Sequence, residues 1–226
     1  MLSFSIQNFG CRVNQAEAFS WAEEFELRGL RLEEDPTQAN LVVVNTCTLT
    51  ARADRDVRKF IRRISRLNPR ARLIVTGCSV DGGTVGNERL GPDAHLIPNA
   101  AKAELPARAI AGIKTSEAPT AQPLRSRALL KVQDGCDLKC TFCVIPSVRG
   151  PSRSLPRSEI LARARRLVDL GFREIVLCGI HLSSYGLDLE PKDSLSELVR
   201  GLLELDGLGR IRLSSLDPRR LDEELI

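Results

Sequence analysis

The stretch ALLKVQDGCDLKCTFC, residues 128–143, decides the fold, because an apolar run of strand character passes directly into a loop holding three cysteines. Cys136, Cys140 and Cys143 stand four and three residues apart. Functional side chains at the carboxyl end of a strand mark the edge where parallel α/β sheets place their sites. Downstream, SEILARARRLVDLG reads as a helix capped by Ser158 and ended by Gly171, and REIVLC as a strand. SLSELVRGLLEL follows as a helix capped by Ser194, and RIRLSS as a strand. The order βαβαβ predicts a parallel sheet with right-handed crossovers.

Upstream the same alternation fills the first hundred residues. LSFSIQNFGC opens it, followed by a helix with Asn14 as N-cap, Glu17 at the capping-box position and Gly29 as its stop. LVVVN reads as a buried strand. A helix over 52–67 then places Val57, Phe60, Ile61 and Ile64 on one face, and RLIVTGC is a third strand. Residues 114–127, KTSEAPTAQPLRSR, hold two prolines and no apolar periodicity, and so read as a linker. The expected architecture is α/β, with a Rossmann-like parallel-sheet domain over 1–113 and a second domain over 128–226. Parallel barrels and open doubly wound sheets need more strands than follow the linker, so the chain reads as C-terminally truncated.

Composition narrows the class. At 226 residues and 42% apolar content the chain can bury a sizeable core. Its longest apolar runs, ANLVVVN and REIVLCGI, fall short of a membrane span, and the N-terminus lacks the charged and apolar regions of a signal peptide. A cytoplasmic location without membrane attachment is expected. Seven cysteines, an odd number, then point to metal or catalysis more than to disulfides. The net charge is only +4, yet residues 51–72 carry eight Arg and one Lys against two Asp. That stripe is a candidate phosphate-contacting face, a solvated helix face being the plain alternative.

Structural zinc sites want four protein ligands, and no fourth Cys or His lies near Cys136, Cys140 and Cys143. Four-iron clusters are habitually held by closely spaced cysteines, and three thiolates leave one iron open to an outside ligand. Cys11, Cys47 and Cys78 are 36 and 31 residues apart, but each closes an apolar strand at a turn: NFGC, VVNTC and VTGC. If those strands are parallel in one sheet, their carboxyl ends share an edge and the three thiols meet in one crevice. The alternative is three independent buried cysteines. Cys178 reads as a small buried thiol, and His95 has no supporting context.

The CxxxCxxC spacing with an aromatic before the last cysteine resembles the signature of the radical-SAM superfamily. FGCRVNQAEA, VVVNTCTLTARADRDVRKFIRR, LIVTGC and KVQDGCDLKCTFCVIPSVRGPSRS together resemble, in order, the radical-SAM methylthiotransferases. The resemblance covers nearly the whole chain. It implies an N-terminal domain with an auxiliary 4Fe-4S cluster on Cys11, Cys47 and Cys78, and the first part of a radical-SAM (β/α) partial barrel with a second 4Fe-4S cluster on Cys136, Cys140 and Cys143. A C-terminal RNA-binding domain usually follows in that family. EIVLCGIHLSSYG is most similar to the branch acting on N6-threonylcarbamoyladenosine in tRNA. The branches acting on isopentenyladenosine in tRNA or on a ribosomal protein are the alternatives. Cys178 stands where Thr is expected, and Asp217 where Glu is usual.

The resemblance further implies that the open iron at Cys136, Cys140 and Cys143, the catalytic cluster, chelates S-adenosyl-L-methionine, whose reductive cleavage yields a 5′-deoxyadenosyl radical that removes hydrogen from C2 of the adenine. The auxiliary cluster would deliver sulfur. Gly179, Ile180 and His181 are expected to line the cofactor pocket, Phe142 to pack on the cofactor adenine or in the core, and Arg149 and Arg153 to reach cofactor carboxylate or RNA phosphate. Implied partners are the tRNA anticodon loop, a sulfur donor, and an electron donor such as flavodoxin or ferredoxin. A non-catalytic iron–sulfur or zinc protein that binds nucleic acid is the reading from another class, and it leaves the strand-end cysteines unexplained.

Overall fold

The computed structural model describes residues 2–48, 50–85, 94–112, 127–214, 216–218, 221 and 223–225. Contacts divide the chain into two compact units, Met1–Ala121 with Ser147–Arg149, and Gln122–Pro146 with Gly150–Ile226. Apart from Arg127, the expected linker lies outside the described residues.

In the first unit, β1 (Ser3–Asn8), β2 (Arg31–Leu32), β3 (Leu41–Thr46), β4 (Arg72–Gly77) and β5 (Ala94–Ile97) form one sheet in the order β2-β1-β3-β4-β5. Every pairing is parallel. Both faces are covered, which is why LVVVN is apolar throughout and not alternating. Phe4, Leu41, Val43 and Ile74 pack with Trp21 and Phe25 of α1 (Arg12–Leu27). Val42, Val44, Leu73 and Val75 meet Val57, Ile61 and Ile64 of α2 (Ala51–Leu67). Thr50 caps α2 by accepting a bond from the Ala53 amide. Short α3 (Cys78–Asp81) follows β4, and a 3-10 turn over Asn99–Glu104 leads into α4 (Leu105–Ala109).

The second unit holds β6 (Ala128–Lys131), β9 (Glu174–Cys178) and β10 (Arg210–Leu213), parallel in the sequential order β10-β9-β6. Sequential order with helical crossovers α6 (Arg157–Asp169) and α7 (Leu195–Leu203) is that of the opening strands of a (β/α) barrel. Ser194 caps α7 through the Glu197 amide, as its sequence predicts. Two-residue strands β7 (Gln133–Asp134) and β8 (Arg153–Ser154) pair antiparallel, on either side of short α5 (Ile145–Arg149).

Two helix starts differ from the sequence expectation. α1 begins at Arg12, after Cys11, which makes no capping bond, so Asn14 and Glu17 lie inside the helix and are buried. Their side chains are claimed by the end of β3, and tertiary hydrogen bonds outweigh the capping pattern. α6 begins at Arg157 with Pro156 at the cap position, so Ser158 falls two residues too late to cap it.

Candidate metal centres

The strand order of the first unit changes winding direction between β1 and β3, and crevices beyond the carboxyl ends at such a point are where open α/β sheets bind ligands. Cys11 follows β1, Cys47 is the residue after β3, and Cys78 the residue after β4. Their loops are tied to one another. Cys11 Sγ lies 3.3 Å from Asn14 Oδ1, whose own amide donates to the carbonyl of Thr46 at 2.8 Å. The Ser79 amide donates to Thr46 Oγ1 at 3.1 Å, and Ser79 Oγ lies 2.9 Å from both the Cys47 carbonyl and Asp54 Oδ1. Asp54, facing inward from the first turn of α2, also accepts from Thr48 at 3.0 Å and Thr84 at 2.9 Å. One carboxylate thereby holds the residue after Cys47 and the residue after Cys78.

Asp54→Asn keeps the shape and turns one acceptor oxygen into a donor. It is expected to lower unfolding free energy by about 1–3 kcal/mol, since buried hydroxyls lose their acceptor. Urea denaturation checks this, and amide exchange should quicken at Thr48 and Ser79. An unchanged midpoint would mean that the clasp contributes nothing.

Behind Cys11 runs a buried charged network. Glu17, 3% exposed, receives Lys102 Nζ at 2.6 Å on Oε2 and Arg149 Nη1 at 3.2 Å on Oε1. Asn45 Nδ2 donates to Glu17 Oε2 at 3.1 Å, and Arg149 Nη2 donates to Asn14 Oδ1 at 2.6 Å. Lys102 also stands 5.7 Å from the centre of the Trp21 ring. Arg149, expected at cofactor or RNA, is 2% exposed and committed to these partners within the first unit. Its sequence neighbourhood gives no sign of this, because Glu17 is 132 residues away.

In the second unit the cysteine loop is pinched at its base. Gly135 has φ +69°, and a Cβ there would lie 1.9 Å from the Pro151 carbonyl oxygen. The Cys136 amide donates to the Gly150 carbonyl at 3.1 Å, and Gln133 Nε2 reaches the carbonyls of Asp134 and Gly135. Cys136 is buried, Cys143 half-buried and Cys140 exposed. The Cys143 amide bonds the Cys140 carbonyl at 3.1 Å, and the Leu138 amide points at Cys136 Sγ at 3.4 Å. Beside Cys136 opens a cavity of about 180 Å³, lined also by Asp137, Leu138, Ser152, His181, Ser184, Leu187 and Asp188.

His181 enters this cavity with its ring held. Its Nδ1 lies 2.8 Å from Ser184 Oγ, which is also 2.8 Å from the His181 carbonyl oxygen. Nε2 lies 3.6 Å from Asp217 Oδ2. The His181 amide is received by Gln133 Oε1 at 2.9 Å, and Gly179 is buried against the same glutamine. Gln133 is a positioning residue that periodicity does not reveal. Tyr185, likewise missed, donates to the Leu155 carbonyl at 2.9 Å, and burial pushes its phenol above the usual range. Phe142 is 90% exposed and does not pack in the core; Arg153 is exposed on β8.

All seven cysteines are free thiols. Among the described residues no three Cys, His, Asp or Glu side chains converge as the ligands of a single metal ion would. A cubane takes one thiolate on each of three irons, so its ligands surround a volume instead of meeting at a point. Two sets of three cysteine thiols have the donor chemistry for such a group.

A parallel α/β chain with a three-cysteine loop after the first strand of a sequential sheet is of the radical-SAM class, and residues 130–225 match the Radical SAM superfamily. Residues 3–90 match the family described as Uncharacterized protein family UPF0004. The chain belongs to the radical-SAM methylthiotransferases. It is 34% identical to the Threonylcarbamoyladenosine tRNA methylthiotransferase MtaB of Chlamydia pneumoniae, over 99% of this chain and 53% of that protein. It is 32% identical to the tRNA-2-methylthio-N(6)-dimethylallyladenosine synthase of Syntrophotalea carbinolica, over 100% and 56%. The chain spans about half the length of the curated relatives it matches. In fold it resembles the radical S-adenosylmethionine methyltransferase TsrM of Kitasatospora setae, with a TM-score of 0.59 at 16% identity, over 99% of this chain and 56% of that one. Among the described residues no helix is long and apolar enough to cross a membrane.

Proposed function

We propose that this chain is part of a tRNA methylthiotransferase that converts N6-threonylcarbamoyladenosine beside the anticodon to its 2-methylthio derivative. The observation that carries the reading is the hydrogen-bonded convergence of the Cys11, Cys47 and Cys78 loops at the winding reversal of the sheet, in a chain that also holds the CxxxCxxC loop. In this reading residues 1–113 form the auxiliary-cluster domain and 128–226 part of the radical-SAM barrel.

Cys136, Cys140 and Cys143 would hold the catalytic cluster, and Cys11, Cys47 and Cys78 the auxiliary one. When bound, these groups supply one-electron cleavage of the S-adenosylmethionine sulfonium and a carrier of sulfur. The chain's own residues orient and shelter. Gln133 fixes both the Cys136 turn and the His181 backbone, so the wall of the cavity and the cysteine loop are set by one side chain. His181 lines the cavity, and in this reading Gly179 and Ile180 beside it would complete the cofactor side, exposed Phe142 would stack on an adenine, and Arg153 would meet an anionic group. A flavodoxin- or ferredoxin-type electron donor, a sulfur donor and a cytoplasmic setting complete the reading.

The test is iron and sulfide per chain after anaerobic reconstitution. About eight irons are expected for the native chain and about four when Cys11, Cys47 and Cys78 are all changed to Ala. A native chain holding about four, with the variant unchanged, would sink sulfur insertion. Anticodon hairpins bearing threonylcarbamoyl- or dimethylallyl-adenosine, assayed by mass spectrometry for the methylthio product, separate the two substrates that the relatives represent.

A further inference from the structure

The solvent side of α2 is a line of cations with one acid beside it. At about 100° per residue, Arg52, Arg55, Lys59, Arg62, Arg63 and Arg66 fall within about 100° of arc, opposite Val57, Ile61 and Ile64. Only Asp56 flanks the line on this helix, 3.9 Å from Arg52. Asp35, whose carboxyl is held below its usual range first by hydrogen bonds from the Thr37 amide and hydroxyl, also feels Arg63. Among the described residues no carboxylate pairs with Arg55, Lys59, Arg62 or Arg66, and all four are exposed. Arg72 does not belong to the line, since its guanidinium is spent on the carbonyls of Ala111 and Arg108.

We infer that this face is a docking track for the phosphate backbone of RNA, an inference that rests on the tRNA reading above. Three properties select RNA over a protein or a membrane. The arc has no apolar residue between its cations, so it offers neither the apolar centre of a protein interface nor anything to insert into lipid. Five of its six cations are arginines, whose planar forks meet phosphate oxygens in pairs. Successive cations three and four residues apart recur about every 5–6 Å along a helix about 25 Å long, matching a regular array of charges and not a single anion. The track also has a direction. It starts five residues after Cys47, and Asp54, on the inner side of its first turn, is bonded to Thr48 and Ser79 beside Cys47 and Cys78. A backbone laid along α2 therefore leads to the cysteine edge.

The experiment is fluorescence anisotropy of a labelled, unmodified anticodon hairpin across a salt series, with an acidic peptide of equal charge as the comparison. The reconstituted native chain is set against a variant with Arg55, Lys59, Arg62 and Arg66 all changed to Gln. The expected result is weaker hairpin binding and a log–log salt slope reduced by about 3, or about 0.7 for each lost contact to single-stranded phosphate. A second variant, Arg55→Lys with Arg62→Lys and Arg66→Lys, is expected to keep most of the native slope. An unchanged slope in the Gln variant overturns the track, as does tighter binding of the acidic peptide than of the hairpin. Iron content separates this from the parent reading: a lost slope in a chain with one cluster keeps the track and removes sulfur insertion, and two clusters with an unchanged slope do the reverse.

Discussion

Glu17→Ala is expected to cost the first unit roughly 3–5 kcal/mol, the range for removing one partner of a buried ion pair. Glu17 is the carboxylate on which Lys102 and Arg149 meet, and both cations are buried, so the substitution strands charge where water cannot reach it. At the lower end of the usual total of about 5–15 kcal/mol, this is enough to populate unfolded chain at ambient temperature. Lys102→Met should cost less, because Glu17 keeps Arg149 and the buried position receives an unbranched apolar chain in place of a charge. Urea titrations of the two variants check the order. Equal midpoints for Glu17→Ala and native chain would mean that the network contributes no stability.

Gly77→Ala is the second large effect. Gly77 has φ +103° and ψ −172°, a region essentially reserved to glycine, worth about 1–3 kcal/mol in backbone strain alone for another residue. A Cβ would also lie 2.4 Å from the Thr46 carbonyl oxygen and 2.6 Å from the Thr46 nitrogen, and Thr46 is paired with Gly77 in the β3–β4 ladder. Only separation of the two strands at their carboxyl ends makes room, and that parts Cys47 from Cys78. Gly83→Ala is the control. Its φ is +68° with nothing within 4 Å of the added carbon, so it should cost only about 1–2 kcal/mol. Iron retained after reconstitution should fall far more for Gly77→Ala than for Gly83→Ala, and equal retention would refute the steric argument.

The apolar runs at 41–44 and 73–75 and the glycines at 29 and 171 were legible as strands and stops because local sequence and global fold agree there. The strand-end cysteines were legible for the same reason, since each ends a run whose direction the βα alternation dictates. β2, β7 and β8 were not, being two residues each and defined by their partners. Asn14 and Glu17 show where a pattern misleads, because the spacing of a capping box also serves a buried network inside the helix. The resemblance sends Arg149 to cofactor carboxylate or RNA phosphate, whereas its partners Glu17 and Asn14 come from residues far away in sequence. Phe142 shows the converse, an aromatic whose type suggests burial and whose loop leaves it in solvent.

The Asp54 clasp sets how the first unit relates to iron. Small metal modules take their folding free energy from the ion and collapse without it. Here a carboxylate, three hydroxyls and a two-sided core already tie the Cys47 and Cys78 loops together. Loss of a cluster to oxygen would then leave an intact shell, and restoring it becomes a matter of refilling a standing socket instead of refolding a chain.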